Sequence, residues 1–123
     1  MASGHDIKQT IDTWAAVLGG NFSLLDGISS PDCQVWHSSD AKWMPQREAM
    51  HAFLAGREKL GIGGFEDVRI VPTAEGFLCQ TSILVEPVGR LHLVQVVTMT
   101  DGAISHVEEY IAPEMDLAAL VAS

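Results

Sequence analysis

The second half of the chain sets the fold class. Four β-rich runs, Phe65 to Pro72, Gly76 to Glu86, Leu91 to Thr100 and Ala103 to Ile111, are separated only by turn residues. Asp101-Gly102 between Thr100 and Ala103 is a strong signal for a two-residue hairpin. Glu86 to Arg90 makes a slightly longer turn. The runs therefore form an antiparallel meander, and helical patterns precede it. Helices first and strands afterwards is the α+β order.

The helical patterns lie in the first 64 residues. From Asp6, the residues Ile7, Ile11, Trp14, Ala15 and Leu18 recur at three- and four-residue spacing and predict one stripe. Ser3 or Asp6 is the candidate N-cap, and Gly19-Gly20 the stop. A short second helix is expected over Phe22 to Ile28, broken by Ser29-Ser30-Pro31-Asp32. Gln34 to His37 is a short extra strand. A third helix opens after Met44, with Pro45 in its first turn and Glu48 beside it. Ala49, Met50, Phe53, Leu54, Arg57 and Leu60 are its expected inner face, and Gly61 to Gly64 its end.

With a two-residue turn at Asp101-Gly102, Thr98 would oppose Ser105, and Val96 would oppose Val107. Val94, Val96, Thr98, Ser105, Val107 and Glu109 then share one face. Leu93, Gln95, Val97, Met99, Ile104, His106, Glu108 and Tyr110 share the other. Both faces are substantially apolar, yet the helices can cover only one. The second face is expected to meet another copy of the chain in a homodimer. A bulge would swap these assignments.

Composition narrows the partners. A chain of 123 residues with 47% hydrophobic and 19% charged residues is expected to form one globular domain over residues 1–123. Its net charge of -9 supplies no basic cluster for nucleic acid or an anionic membrane. Neither a spanning apolar run nor a signal-peptide pattern is visible, so a cytoplasmic location is expected. Cys33 and Cys79 sit in apolar runs and read as reduced, buried thiols. Neither HExxH nor CxxC occurs, and no metal or cofactor is expected.

Taken together, the N-terminal helix, the "CQVWHSSD" strand end, the following helix and the closing "DGAISHVEEY" resemble the SnoaL-like branch of the nuclear transport factor 2-like superfamily. The resemblance covers nearly the whole chain. It implies a cone: a strongly bent sheet wrapped round helices, with a pocket at the wide end. Its members include polyketide cyclases, ketosteroid isomerases, scytalone dehydratase and limonene-epoxide hydrolases. The epoxide-hydrolase pattern has Tyr-His-Asn where this chain has Trp36-His37-Ser38, and its final-strand acid falls at Glu109. Its remaining Arg and Asp fall near Thr81 and Ile83. A threonine cannot organise an acid pair and an isoleucine cannot move a proton, so that mechanism does not carry over.

Glu109 is the leading candidate for chemistry. A carboxylate held among apolar groups has its charged form disfavoured, which suits general acid/base work near neutral pH. Left in water it would be an ordinary strand-end glutamate. His37 is the expected partner, because imidazole titrates near neutrality. Asp40 would either orient that ring or merely close the turn. If β alternation holds, Trp36 and His37 point to opposite faces. Trp14, Trp36, Phe53, Phe77, Cys79, Thr81, Val94, Val96 and Val107 are the expected pocket lining. The expected partner is a small, mainly apolar ligand or substrate. A cofactor-free acid/base enzyme, a non-catalytic binder and a protein-interaction module all remain open.

Overall fold

The computed structural model describes residues 6–122. Helix α1 spans Ile7–Leu18 and opens with a capping box: Asp6 Oδ1 accepts from the Gln9 amide at 2.8 Å, and Gln9 Oε1 from the Asp6 amide at 3.4 Å. Ser3, the other candidate cap, lies outside the described residues. Trp14 and Leu18 are buried as expected, but Thr10 and Val17 share their face while Ile7 and Ala15 are exposed. A 3₁₀ turn follows at Phe22–Gly27.

The expected break at Ser29 to Asp32 is instead the start of strand β1, Ser29–His37, whose register against its neighbour shifts between Ser29 and Gln34. A short strand β2, Lys42–Pro45, returns antiparallel to it. Pro45 caps helix α2, Gln46–Lys59, rather than entering it. Strand β3 takes in the glycine cluster and runs Gly61–Pro72. Strands β4 (Gly76–Glu86), β5 (Gly89–Thr100) and β6 (Ala103–Pro113) complete the meander, and a short helix α3 (Leu117–Ala122) closes the described chain. No described helix is long and apolar enough to cross a membrane.

The six strands form one curved sheet in the order β2-β1-β6-β5-β4-β3. The meander is antiparallel, whereas β1 lies parallel to β6. Two register shifts in β3, with Asp67 at φ 54°, bend that edge. The Asp101-Gly102 turn forms as expected, pairing Thr100 with Ala103. One bulge then changes everything beyond it. Thr98 pairs with His106 instead of Ser105, so Val97, not Val96, opposes Val107, and Gln95, not Val94, opposes Glu109. Leu93, Gln95 and Val97 are therefore the buried residues of β5, while Val94 and Val96 belong to the outer face.

The inner face carries two separate apolar clusters. The larger joins Trp14, Val17, Leu18 and Leu25 to Phe77, Cys79, Val97, Ile104 and Val107. The smaller centres on Ile83, Val85 and Leu93. Helix α2 buries no residue completely: Ala49, Met50 and Phe53 are half-buried, whereas Leu54, Arg57 and Leu60 of its expected inner face are exposed. Its lid is loosely seated.

The close approach of β4 and β5 can be tested at Gly76. A Cβ there would lie 2.1 Å from the Val97 carbonyl oxygen, which is backbone and cannot turn aside. Gly76→Ala is expected to destabilise the fold by about 1–3 kcal/mol. A denaturant midpoint matching wild type would show that these strands sit further apart.

Candidate active site

The site is a single cross-strand row. His37 on β1 is the register partner of Glu109 on β6, which is the partner of Gln95 on β5, which in turn pairs with Cys79 on β4. Register partners on adjacent strands project to the same side of a sheet. Ser38 fixes the row at its β1 end: its amide donates to the Glu109 carbonyl at 2.9 Å and its Oγ accepts from the Ile111 amide at 2.8 Å.

Hydrogen bonds order the side chains above this row. Trp14 Nε1–H donates to Gln95 Oε1 at 3.0 Å. Indole has only a donor, so this bond fixes which end of the Gln95 amide points inward. Gln95 Nε2 then donates to Glu109 Oε2 at 2.7 Å. The other carboxylate oxygen, Oε1, faces His37 Nε2 at 3.5 Å, with the two side chains 22% and 16% exposed for His37 and Glu109. One oxygen is held and the other is presented to the interior.

A cavity of about 110 Å³ opens over the row. Its polar groups are His37, Gln46, Gln95 and Glu109, and its walls are aromatic and aliphatic, with Trp14, Phe22, Phe53 and Phe65 among them. Of the residues expected here, His37, Glu109, Trp14, Phe53 and Val107 border the cavity.

The others lie elsewhere, each for a physical reason. Trp36 alternates to the outer face, where its ring centroid sits 5.2 Å from that of Tyr110. Asp40 is exposed and closes its turn by accepting from the Lys42 amide at 3.2 Å, so it does not orient His37. Val94 and Val96 were displaced outward by the bulge. Phe77, Cys79 and Thr81 do face inward but are packed rather than cavity-lining. Phe77 and Cys79 are fully buried in the main cluster, and Thr81 Oγ1 donates to the Glu66 carbonyl at 2.7 Å.

Gln95 and Gln46 were missed. Gln95 could have been found by asking which inward residue would satisfy a buried carboxylate. Gln46 gave no signal beyond its place at the start of a helix.

Both thiols are held protonated. Burial pushes Cys33 and Cys79 up to about 11, helped by the negative charge of Asp32 for the first and of Glu109 for the second. Neither is a nucleophile near neutral pH. Among the described residues, no group of three or more His, Cys, Asp or Glu is placed to hold a metal ion.

The comparisons agree on the fold. An NTF-2 like protein of unknown function from Burkholderia xenovorans LB400 superposes with a TM-score of 0.70 at 20% identity, covering 89% of this chain and 85% of that one. A steroid delta-isomerase from Pseudomonas aeruginosa gives 0.67 at 18% identity, covering 99% and 91%. A protein with a cystatin-like fold from Silicibacter pomeroyi DSS-3 gives 0.65 at 19%, covering 92% and 80%. No protein-family model matches the sequence. No curated protein sequence matches it either. The chain has the nuclear transport factor 2-like, cystatin-like α+β fold that its sequence resembled.

The amide relay is the site's testable scaffold. Gln95→Leu would leave the buried Trp14 N–H and Glu109 Oε2 without their partner. It is expected to cost about 1–3 kcal/mol in equilibrium unfolding, and Trp14→Phe in the same background should then cost less than in wild type. Strict additivity of the two losses would show that no relay links them.

Proposed function

We propose that the cavity binds a small, mainly apolar molecule and moves a proton on it, with Glu109 as base and His37 as its partner. The observation that carries this reading is the asymmetry of the Glu109 carboxylate. Gln95 holds one oxygen at 2.7 Å while the other faces His37 at 3.5 Å inside a largely apolar hollow. A base fixed by one oxygen loses little orientational freedom when the other takes a proton.

The chemistry needs only these side chains. Glu109 Oε1 would take the proton from a carbon next to a carbonyl, and the C–H electron pair would become the enolate, with its charge on oxygen. The Gln46 amide can donate to that oxygen from the start of α2. Where a β,γ-double bond extends the enolate into a dienolate, returning the proton to its far carbon shifts the double bond and completes an isomerisation, with His37 able to carry it. Return of that proton to a β-hydroxyl, which leaves as water, instead gives dehydration; attack of the enolate on a second carbonyl, whose oxygen takes the proton, gives aldol-type cyclisation; and the same pair taking a proton from a water that adds to an ester carbonyl, then giving it to the departing alkoxide, gives hydrolysis. The steroid delta-isomerase of similar fold supports the first of these by analogy alone.

Hydrogen–deuterium exchange at the α-carbons of a simple ketone is the direct assay. Glu109→Gln is expected to slow exchange by about 10²–10⁴-fold while calorimetric binding of the ketone persists. His37→Ala should also slow it. Binding without exchange in the wild-type protein would favour a non-catalytic binder, and exchange unaffected by Glu109→Gln would remove Glu109 from the chemistry.

The outer sheet face supports a second proposal, that two copies associate through it. Trp43 is 50% exposed and Tyr110 44% exposed there, alongside half-buried Trp36, Val94 and Val96. A contiguous apolar face on an antiparallel sheet is more stable covered. Sedimentation should return twice the chain mass at micromolar concentration, and Tyr110→Lys should halve it. A wild-type monomer would instead point to a different protein partner on that face.

A further inference from the structure

A second cavity, of about 250 Å³, lies on the far side of Glu109 from the first. Phe53, Phe65 and Glu109 border both hollows. The two phenyl rings stack with centroids 5.8 Å apart and planes 24° from parallel, so they form a thin partition with the carboxylate beside it. The second hollow's own walls are entirely aliphatic: Ile62, Ile83, Val85, Leu91, Leu93 and Ile111. These residues belong to the smaller apolar cluster, whose buried residues are distinct from those of the main core and which meets it at half-buried Phe65. An apolar cluster that surrounds empty space, instead of closing on itself, forgoes packing that would stabilise the fold.

We infer that this aliphatic chamber is a second binding subsite, and that the substrate is an extended apolar molecule whose reacting carbon lies in its interior, with one apolar arm on each side of Glu109. The inference rests on the acid/base reading of Glu109, and it adds where along the molecule the proton moves. Volume alone favours it. The first cavity is well below the ~300–1,000 Å³ of ordinary small-molecule sites, and only the two together reach that range. Polarity favours it too. His37, Gln46 and Gln95 all border the first hollow, and among the described residues Glu109 is the only polar one bordering the second. A carbonyl is therefore oriented from one side only, and the second arm needs no polar group. Phe53 sits on the loosely seated α2, so a modest shift of that helix parts the stack.

Calorimetric titration with symmetric linear ketones (pentan-3-one, heptan-4-one, nonan-5-one) tests this on the intact chain. Each step adds one methylene to both arms. Affinity should rise roughly fifteenfold per step, from about fourfold per buried methylene. Nonan-5-one should bind more tightly than nonan-2-one, which has the same carbon count but one long arm. Leu91→Phe, at a half-buried position, fills the second chamber and should cut the gain per step to about fourfold. Ile111→Phe should do the same from the neighbouring strand β6.

Equal binding of the two nonanones by wild-type protein would overturn the two-armed site without any variant. So would an affinity that stops rising after pentan-3-one, or ketone series identical in wild type and both filled variants. The outcome is separable from the catalytic reading. A two-armed binding pattern with no α-carbon exchange would sink the base while leaving the subsite, and exchange on pentan-3-one with no gain from longer arms would do the reverse.

Discussion

A buried carboxylate must be met by donors, and in this fold a single bulge in the last hairpin decides whether it is. Counting residues back from the Asp101-Gly102 turn without a bulge sets Val94 opposite Glu109. The extra residue at Ser105 sets Gln95 there instead. A valine would leave Glu109 Oε2 without its donor, at a cost of about 1–3 kcal/mol. The glutamine supplies an N–H, and Trp14 from the opposite layer fixes which way the amide points. One inserted residue thus gives a half-buried carboxylate a fixed donor.

The same register explains why the site lies on strands and not on loops. His37, Glu109 and Gln95 are adjacent in one row of a hydrogen-bonded ladder, and Ser38 ties the β1 end of that row to the Glu109 carbonyl and the Ile111 amide. Strand register tolerates little drift, because a one-residue slip would turn each of these side chains to the other face. The covering layer is built differently. Helix α2 presents a half-buried apolar face and closes nothing completely, so the rigid half of the site is the sheet and the adjustable half is the lid. That division suits a pocket that must admit a molecule and yet hold its acid still.

Periodicity carried the architecture well. The meander runs, the hairpin turn and the capped first helix all follow from local pattern and turn chemistry. So does the separation of Trp36 from His37, which alternation alone requires. What pattern could not carry was anything set by a bulge or by parallel pairing. Ser105 looks like any other strand residue, yet it decided the fate of Val94, Val96 and Gln95. The approach of β1 to β6 joins residues 72 apart in sequence, and no local signal marks it. Asp40 illustrates a further limit. Three residues from a histidine, an acid can orient the ring or close the turn, and only the turn's geometry (Ala41 at φ 57° and the Lys42 amide turned inward) selects the second.

Cys79 and Thr81 show how closely packing and function compete inside the cone. Both face inward on β4, one register position or more from the acid, yet neither reaches open space. Trp14 and Phe77 pack edge to face at 5.4 Å over that part of the sheet and fill it. The hollow over the row lies where the covering element changes from α1, which buries four residues, to α2, which buries none. Glu109 lies under that change of cover, so the charged group sits where packing is least complete. A tighter α2 would strengthen the core and close the hollow beside the carboxylate. The stability forgone there is the physical basis for reading the acid as functional rather than structural.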